Sequence, residues 1–419
     1  MDTCNVAISD AAGPEPRAAA TLLFRLSVGV FFIGGFLTSS VSLLVPQLKL
    51  MLSLDYTQAF LVQLAFHASY LLFALPITAF IVGSGYTRAI VAGLAVMSAG
   101  CVALAVAQGS LSFALVLGAL LLLSGGQTFL QIASNTVVAV IGPARGAAGR
   151  LTLLQGFNSL GTVAGPLLSA PLLLAQVDRG REWRPLIGLS AAALPFVLTA
   201  LVTAALALAY AGHRRVLESG QRGEGFVPIR RLFAVLGESR RLRWGTAAIF
   251  VYVGAEVTIG GLLPSVLMRP DRLGAGAVTA GQLVALYWGG AMVGRFAGAW
   301  IMRHMAEARL LHLAALGAVA LTVTASVLPG AAGALVLVAV GLCNAIMYPT
   351  IYALALPEDA RAAPVASMWL CMAVVGGAIV PVLTGVVADA SGLLESLVVP
   401  AGCYVLIAAF AAICREGRA

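Results

Sequence analysis

About twelve stretches of this chain are apolar and long enough to cross a bilayer, and inside hydrocarbon a segment must satisfy its own backbone hydrogen bonds. They fall at roughly 24–48, 57–83, 87–108, 111–142, 151–176, 185–211, 244–268, 279–301, 309–328, 331–356, 364–388 and 395–414. Only 10% of the residues are charged and 60% are hydrophobic, against about a quarter charged in soluble domains. The expectation is an all-α membrane protein of twelve transmembrane helices. Gly165-Pro166 and Tyr348-Pro349 inside the runs predict kinked helices rather than loops.

The net charge of +8 is not a nucleic-acid signature, because the basic residues alternate between connections. One side takes Arg17, Arg25, Arg88, Arg145, Arg150, the cluster from Arg214 to Arg243, Arg303, Arg309, Arg361, Arg415 and Arg418. The other takes Lys49, Arg179, Arg181, Arg184, Arg269 and Arg272. By the positive-inside rule both termini and the central loop face the cytoplasm, across a cell inner (plasma) membrane. Residues 1–20 carry Asp2, Asp10 and Glu15 and lack a basic n-region, so they do not read as a cleavable signal. The six cysteines lack a CxxC pair and read as small core hydrophobes.

The polar stretch from His213 to Arg243 divides the spans six and six. Its glycines and Pro228 predict a surface linker with an amphipathic helix near 229–236. The predicted organisation is a tail at 1–23, a six-helix bundle at 24–211, a linker at 212–243, a second bundle at 244–414 and a tail at 415–419. Leu43-Leu-Val-Pro46 in span one echoes Gly261-Leu-Leu-Pro264 in span seven. Gln131-Ile-Ala-Ser-Asn-Thr in span four, followed by Arg150, echoes Asn344-Ala-Ile-Met-Tyr-Pro-Thr in span ten, followed by Arg361. Two duplicated bundles around a cavity predict alternating access.

Glu256 is the acidic residue deepest in a span, ~18 Å along a hydrocarbon core ~30 Å thick. A charge there costs several kcal/mol (about 3 on insertion scales) unless it faces a polar cavity or a partner, so the residue is either a proton carrier or a protonated carboxyl bonded to a neighbouring helix. His67 reads as a proton relay or ligand contact, or as a neutral core histidine. Arg295 lies near a span end, where it can snorkel, and reads as structural or gating.

Polar stripes run along several spans. Gln127, Gln131 and Asn135 recur at helical spacing in span four, and Gln155, Asn158, Ser159 and Thr162 in span five. Gln63, His67 and Tyr70 mark span two, Asn344, Tyr348 and Tyr352 mark span ten, and Thr38, Ser39 and Ser42 mark span one. Amides and hydroxyls both donate and accept, which suits a neutral polyhydroxylated ligand, whereas a charged one would need countercharges these stripes lack. The structural alternative is that such amides hold helices together.

At these residues the chain resembles the fucose–galactose–glucose:proton symporter family of the major facilitator superfamily. The matching segments are Tyr56-Thr-Gln-Ala-Phe-Leu-Val-Gln-Leu-Ala-Phe, Arg150-Leu-Thr-Leu-Leu-Gln-Gly-Phe-Asn-Ser-Leu-Gly-Thr, Tyr252-Val-Gly-Ala-Glu-Val, Gly341-Leu-Cys-Asn-Ala-Ile-Met-Tyr-Pro-Thr-Ile and Leu370-Cys-Met-Ala-Val-Val-Gly-Gly-Ala-Ile-Val-Pro. The resemblance implies the major facilitator fold and a sugar pocket between the halves, with Gln63, Gln131, Asn135, Gln155, Asn158, Asn344 and Tyr348 as substrate-binding candidates. Gln131 falls where the fucose branch carries Glu and the glucose/galactose branch Gln. The family's Asn-Asp pair in span one is Val41-Ser42 here, and its Gln in span eleven is Thr384. With no carboxylate at 42 or 131, Glu256 or His67 would have to carry a coupled proton.

The expected function is transport of a neutral hexose or fucose by alternating access, proton-coupled through Glu256 or facilitated. An efflux antiporter for apolar compounds, suggested by Gly161-x-x-x-Gly165-Pro166, and a transport-dead nutrient sensor are the alternatives. The spans hold no HExxH, GxSxG or paired catalytic carboxylates, so no enzyme is expected. The expected partners are the sugar, protons and lipid around a monomer, with no nucleic acid and no cofactor or metal. A cysteine placed at Ser219, on a background without native thiols, should be blocked by an impermeant thiol reagent only in opened cells. Labelling in intact cells would reverse the topology.

Overall fold

The computed structural model describes residues 14–110, 112–140, 147–175, 177, 190–213, 236–237, 239–355 and 363–416. Most of the linker, the outer parts of both tails, the predicted helix at 229–235, and Arg145, Arg179, Arg181, Arg184 and Arg361 lie outside them. Every described element is helical, and the helices fill all twelve expected places in order. Among the described residues nine stretches are long and apolar enough to cross a membrane, and the bent pair Tyr56–Leu72 and Ala74–Ile81 makes a tenth. Spans five (Ala147–Leu173) and eight (Ala277–Ile301) complete the set at 27 and 25 residues. These two are the more polar ones, since span five carries the Gln155–Asn158 stripe and span eight carries Arg295.

Among the described residues four spans are broken; span eleven passes through a 3-10 turn at Ala373–Val375, and the other three each have a proline at the third residue of the restarted helix. Span one runs Pro14–Ser42 then Leu44–Leu52 with Pro46, and span two runs Tyr56–Leu72 then Ala74–Ser84 with Pro76. Span ten runs Gly330–Asn344 then Met347–Ala355 with Pro349. Proline has no N–H to give the carbonyl four residues back and its ring crowds that carbonyl, whereas in the first turn of a new helix the missing donor goes unnoticed. Restarting the helix just before the proline satisfies both demands. In span two the restart bends the axis by 44°. Span five, by contrast, runs as one helix through Pro166 and Pro171.

Small residues let helices touch backbone to backbone, as association in lipid favours. A methyl group at Gly161 of span five would overlap the carbonyl of Phe32 in span one, and one at Gly376 of span eleven would overlap the carbonyl of Phe250 in span seven. The GxxxG pattern at Gly161 and Gly165 thus packs span five on span one within the first bundle.

The two bundles meet tightly at the end that carries residues 53–55 and 392–394. There Asp389, near the end of span eleven, accepts three hydrogen bonds from the start of span two: Tyr56 N–H at 2.7 Å, Thr57 N–H at 2.8 Å and the Thr57 hydroxyl at 2.6 Å. A carboxylate at a helix N-terminus gains from both the unpaired N–H groups and the helix dipole. Asp55 adds a capping box with Gln58, and Lys49 lies 4.0 Å over the Tyr56 ring. Close by, Gly281 of span eight presses on Ala170 and Leu174 of span five, and Phe60 of span two fits against Gly261 of span seven.

If Asp389 latches this end, Asp389→Ala should open it. A cysteine at Ala170, on a background without native thiols, should then react with an impermeant maleimide about tenfold faster, matching loss of at least one charge-assisted bond. Equal rates with and without the substitution would show that packing alone keeps the end closed.

Candidate functional site

A recess open to solvent lies between spans one, four and five. It is lined by Val30, Phe31, Gly34, Gln127, Leu130, Gln131, Ser134, Gln155 and Asn158. The helical spacing that puts Gln127, Gln131 and Ser134 on one face of span four aims all three into it. Three of the candidates predicted from sequence, Gln131, Gln155 and Asn158, therefore meet. Gln131 and Gln155 are exposed to the opening, and Gln131 is also hydrogen-bonded to Tyr70 of span two. Asn135 continues the same helix, but its side chain lies outside the described residues.

Two of the four amides in this recess have fixed polarity. Asn158 Nδ2 donates to the Phe31 carbonyl at 3.0 Å, and Gln127 Nε2 donates to the Thr38 hydroxyl at 3.0 Å and the Gly34 carbonyl at 3.4 Å. A carbonyl only accepts, so the NH₂ ends must face span one. The amide oxygens are turned the other way. Gln127 Oε1 and the Ser134 hydroxyl are buried and make no hydrogen bond to the protein, a cost of about 1–3 kcal/mol each. Gln127 was visible in sequence as part of the stripe, but nothing there distinguished it from its neighbours as a site residue.

The remaining candidates do not line this recess. Gln63 is buried and donates to the Ser42 hydroxyl at 3.4 Å, joining spans one and two. Ser42 in turn donates to the Thr38 carbonyl at 3.2 Å, so a neutral group is satisfied at that position. His67 is buried, with Nδ1 3.1 Å from the Gln63 carbonyl, and packs against Gly377 of span eleven. Because that carbonyl can only accept, Nδ1 carries the hydrogen.

A second polar cluster lies in the other bundle. Tyr252, one turn before Glu256, donates to Glu256 Oε1 at 2.7 Å. Asn344 Nδ2 donates to the Tyr287 hydroxyl at 2.7 Å, and Tyr287 donates to the Glu256 main-chain carbonyl at 3.1 Å. Tyr348 stands beside Tyr252 with ring centroids 6.3 Å apart. Glu256 keeps partial exposure, whereas Tyr252 is 2% exposed. The i, i+4 spacing of Tyr252 and Glu256 was legible in sequence; Tyr287, which comes from another span, was not.

Arg295 joins the two clusters. Rather than snorkelling, its guanidinium crosses between the bundles and donates to the Ser159 hydroxyl of span five at 2.6 Å. Ser159 itself donates to the Gln155 carbonyl at 3.0 Å, one turn from the recess. No grouping of His, Cys, Asp and Glu suited to a metal ion occurs among the described residues.

The family model of the Major Facilitator Superfamily matches residues 26–357. A "Glucose/galactose transporter" of Brucella abortus is 37% identical over 387 residues, covering 90% of each chain. The "L-fucose-proton symporter" of Escherichia coli is 28% identical over 414 residues, covering 93% of this chain and 92% of that one. A crystal structure of the superfamily transporter FucP in the outward conformation superposes with a TM-score of 0.70 at 25% identity, over 94% of this chain and 99% of that one. The sequence match, the twelve helices and the paired bundles agree, and the chain belongs to the Major Facilitator Superfamily.

Proposed function

We propose that this protein carries a neutral hexose across a bacterial inner membrane by alternating access, with the bundles at 24–211 and 244–414 as the moving bodies. The observation that carries this reading is a recess whose described lining joins four amides and a hydroxyl to apolar side chains and holds no charged group. Sugar hydroxyls both donate and accept, as amides do, and a preformed wall loses little entropy on binding. The relatives named for glucose, galactose and fucose support the sugar class, and Gln131 favours a hexose other than fucose. Together with the positive-inside rule, the closed end supports reading this state as open to the cytoplasm.

Within this reading, Gln127, Gln131, Gln155 and Asn158 bind the sugar, and Gln63 and His67 support the interface between spans. Glu256 is the coupling carboxylate. Among the described residues no carboxylate lines the recess, so this reading puts the proton that drives uptake in the other bundle, where Glu256 is partly exposed. Arg295 lies close enough to feel its charge while bonded to Ser159. That contact gives the sugar-binding bundle an electrostatic link to the proton site. The proton named for the Escherichia coli relative supports coupling of the same kind.

Counterflow of labelled hexoses in proteoliposomes tests the transport reading directly; failure of every hexose to exchange would favour the efflux or sensor alternatives. Gln155→Ala and Asn158→Ala should each weaken sugar binding roughly tenfold to a hundredfold, about 1–3 kcal/mol, in protein that still inserts. Normal affinity in both would assign these amides to helix packing. Glu256→Gln should abolish accumulation against a gradient while counterflow persists. Concentrative, pH-dependent uptake by that variant would remove Glu256 from coupling, and gradient-independent transport by the unmodified protein would remove coupling altogether.

A further inference from the structure

Glu256 belongs to a closed ring of hydrogen bonds that ties together spans seven, eight and ten. The ring runs from the Glu256 carboxyl to the Tyr252 hydroxyl, from there to the Asn344 main-chain carbonyl at 3.1 Å, then from the Asn344 amide through Tyr287 back to the Glu256 main chain. Three of these links have a fixed direction, because an NH₂ group only donates and a carbonyl only accepts. The Tyr252 link does not. Its hydroxyl sits 2.7 Å from Glu256 Oε1 and 3.1 Å from the Asn344 carbonyl, and a phenol has one proton to give.

We propose that Tyr252 is a positioning residue that relays the protonation of Glu256 to the break in span ten. The proposal rests on Glu256 being the coupling carboxylate. With Glu256 ionised, the charge-assisted bond holds the phenol proton, and the Asn344 carbonyl receives only a weak share of it. When the carboxylate takes up one proton from the open side, its own O–H becomes a donor. The phenol oxygen then accepts from Glu256, and the phenol proton turns to Asn344. One proton enters, and no bond between heavy atoms changes.

The receiving carbonyl is placed to matter. Asn344 is the last residue of Gly330–Asn344, and only Ala345 and Ile346 separate it from the helix restart at Met347, with Pro349 behind it. A stronger bond at this joint biases the angle between the two pieces of span ten. A single hydrogen bond is the size of step that shifts a conformational population about tenfold. The other groups facing Glu256 are Arg295 and Tyr287 from span eight, Tyr348 from span ten and Tyr404 from span twelve. Span eleven presents Gly376 and Val380 to this helix at Gly254, and neither titrates. Arg295 directs its hydrogen bond to Ser159, so it acts on Glu256 through its charge.

Infrared difference spectroscopy of the purified full chain between neutral and acid pH tests the relay without any substitution of Tyr252. The carboxyl band of Glu256 is assigned by its loss in Glu256→Gln, and the Asn344 carbonyl by backbone ¹³C-asparagine labelling with Asn344→Gln as the assignment control. The expected result is that the tyrosine C–OH band and the labelled carbonyl band shift in the same titration step as the Glu256 band. In Tyr252→Phe the carbonyl shift should vanish, and sugar accumulation at acid pH should fall about tenfold. A Glu256 band that titrates with no accompanying tyrosine or carbonyl change overturns the relay while leaving Glu256 as the proton site. Accumulation by Glu256→Gln equal to that of the unmodified protein overturns the coupling reading and the relay with it.

Discussion

Hydrocarbon offers a side chain no hydrogen-bond partner, and the interior of this protein follows from that shortage. Each amide or hydroxyl in a span must find a partner on another helix, turn back onto its own backbone, or face a cavity. Thr128, Thr199, Thr203 and Thr384 take the second course, bonding carbonyls four residues back. Ser40 with Ser169, Ser69 with Thr128 and Gln47 with Gln108 take the first. The third course is taken at the recess, where Gln131 and Gln155 are exposed at the opening.

The two bundles divide the work by chemistry. The first presents amides, two of them of fixed polarity, around an uncharged recess. The second holds the carboxyl, ringed by phenols that can change hydrogen-bond direction without changing charge. Arg295 spans the gap between the bundles, and Asp389 closes one end from the side of the second bundle. Both bridges are charged groups bonded to neutral partners. Such contacts are stronger than neutral hydrogen bonds yet lack the full attraction of an ion pair, which suits joints that have to form and release.

The breaks in the helices fit the same economy. Pro46, Pro76 and Pro349 each take the third residue of a restarted helix, so their missing donors coincide with a helix start, where donors are unpaired in any case. Kinks obtained in this way leave few orphaned backbone groups in the bilayer. They also place a break in span one, which lines part of the recess, a 44° bend in span two and a break in span ten beside the Glu256 ring.

Much of this was legible in the sequence, for physical reasons. Apolar run length gives the number of spans, because bilayer thickness is a fixed ruler, and the stripe at Gln127 and Gln131 gives an inward face because helical period is equally fixed. Both Gly165-Pro166 and Tyr348-Pro349 lie in helix rather than loop, as expected: the helix of span ten breaks just before Met347, whereas that of span five runs on through Pro166, where span one packs against Gly165. Tertiary structure decided the rest. Gln63 and Gln155 look alike on their helices, yet one is paired with Ser42 inside a span interface and the other faces the opening. Which way an amide turns, which phenol reaches Glu256 and whether Arg295 snorkels or crosses all depend on what a neighbouring helix offers within about 3 Å. A single helix fixes only the direction in which a side chain leaves it, and the partner comes from chain tens or hundreds of residues away.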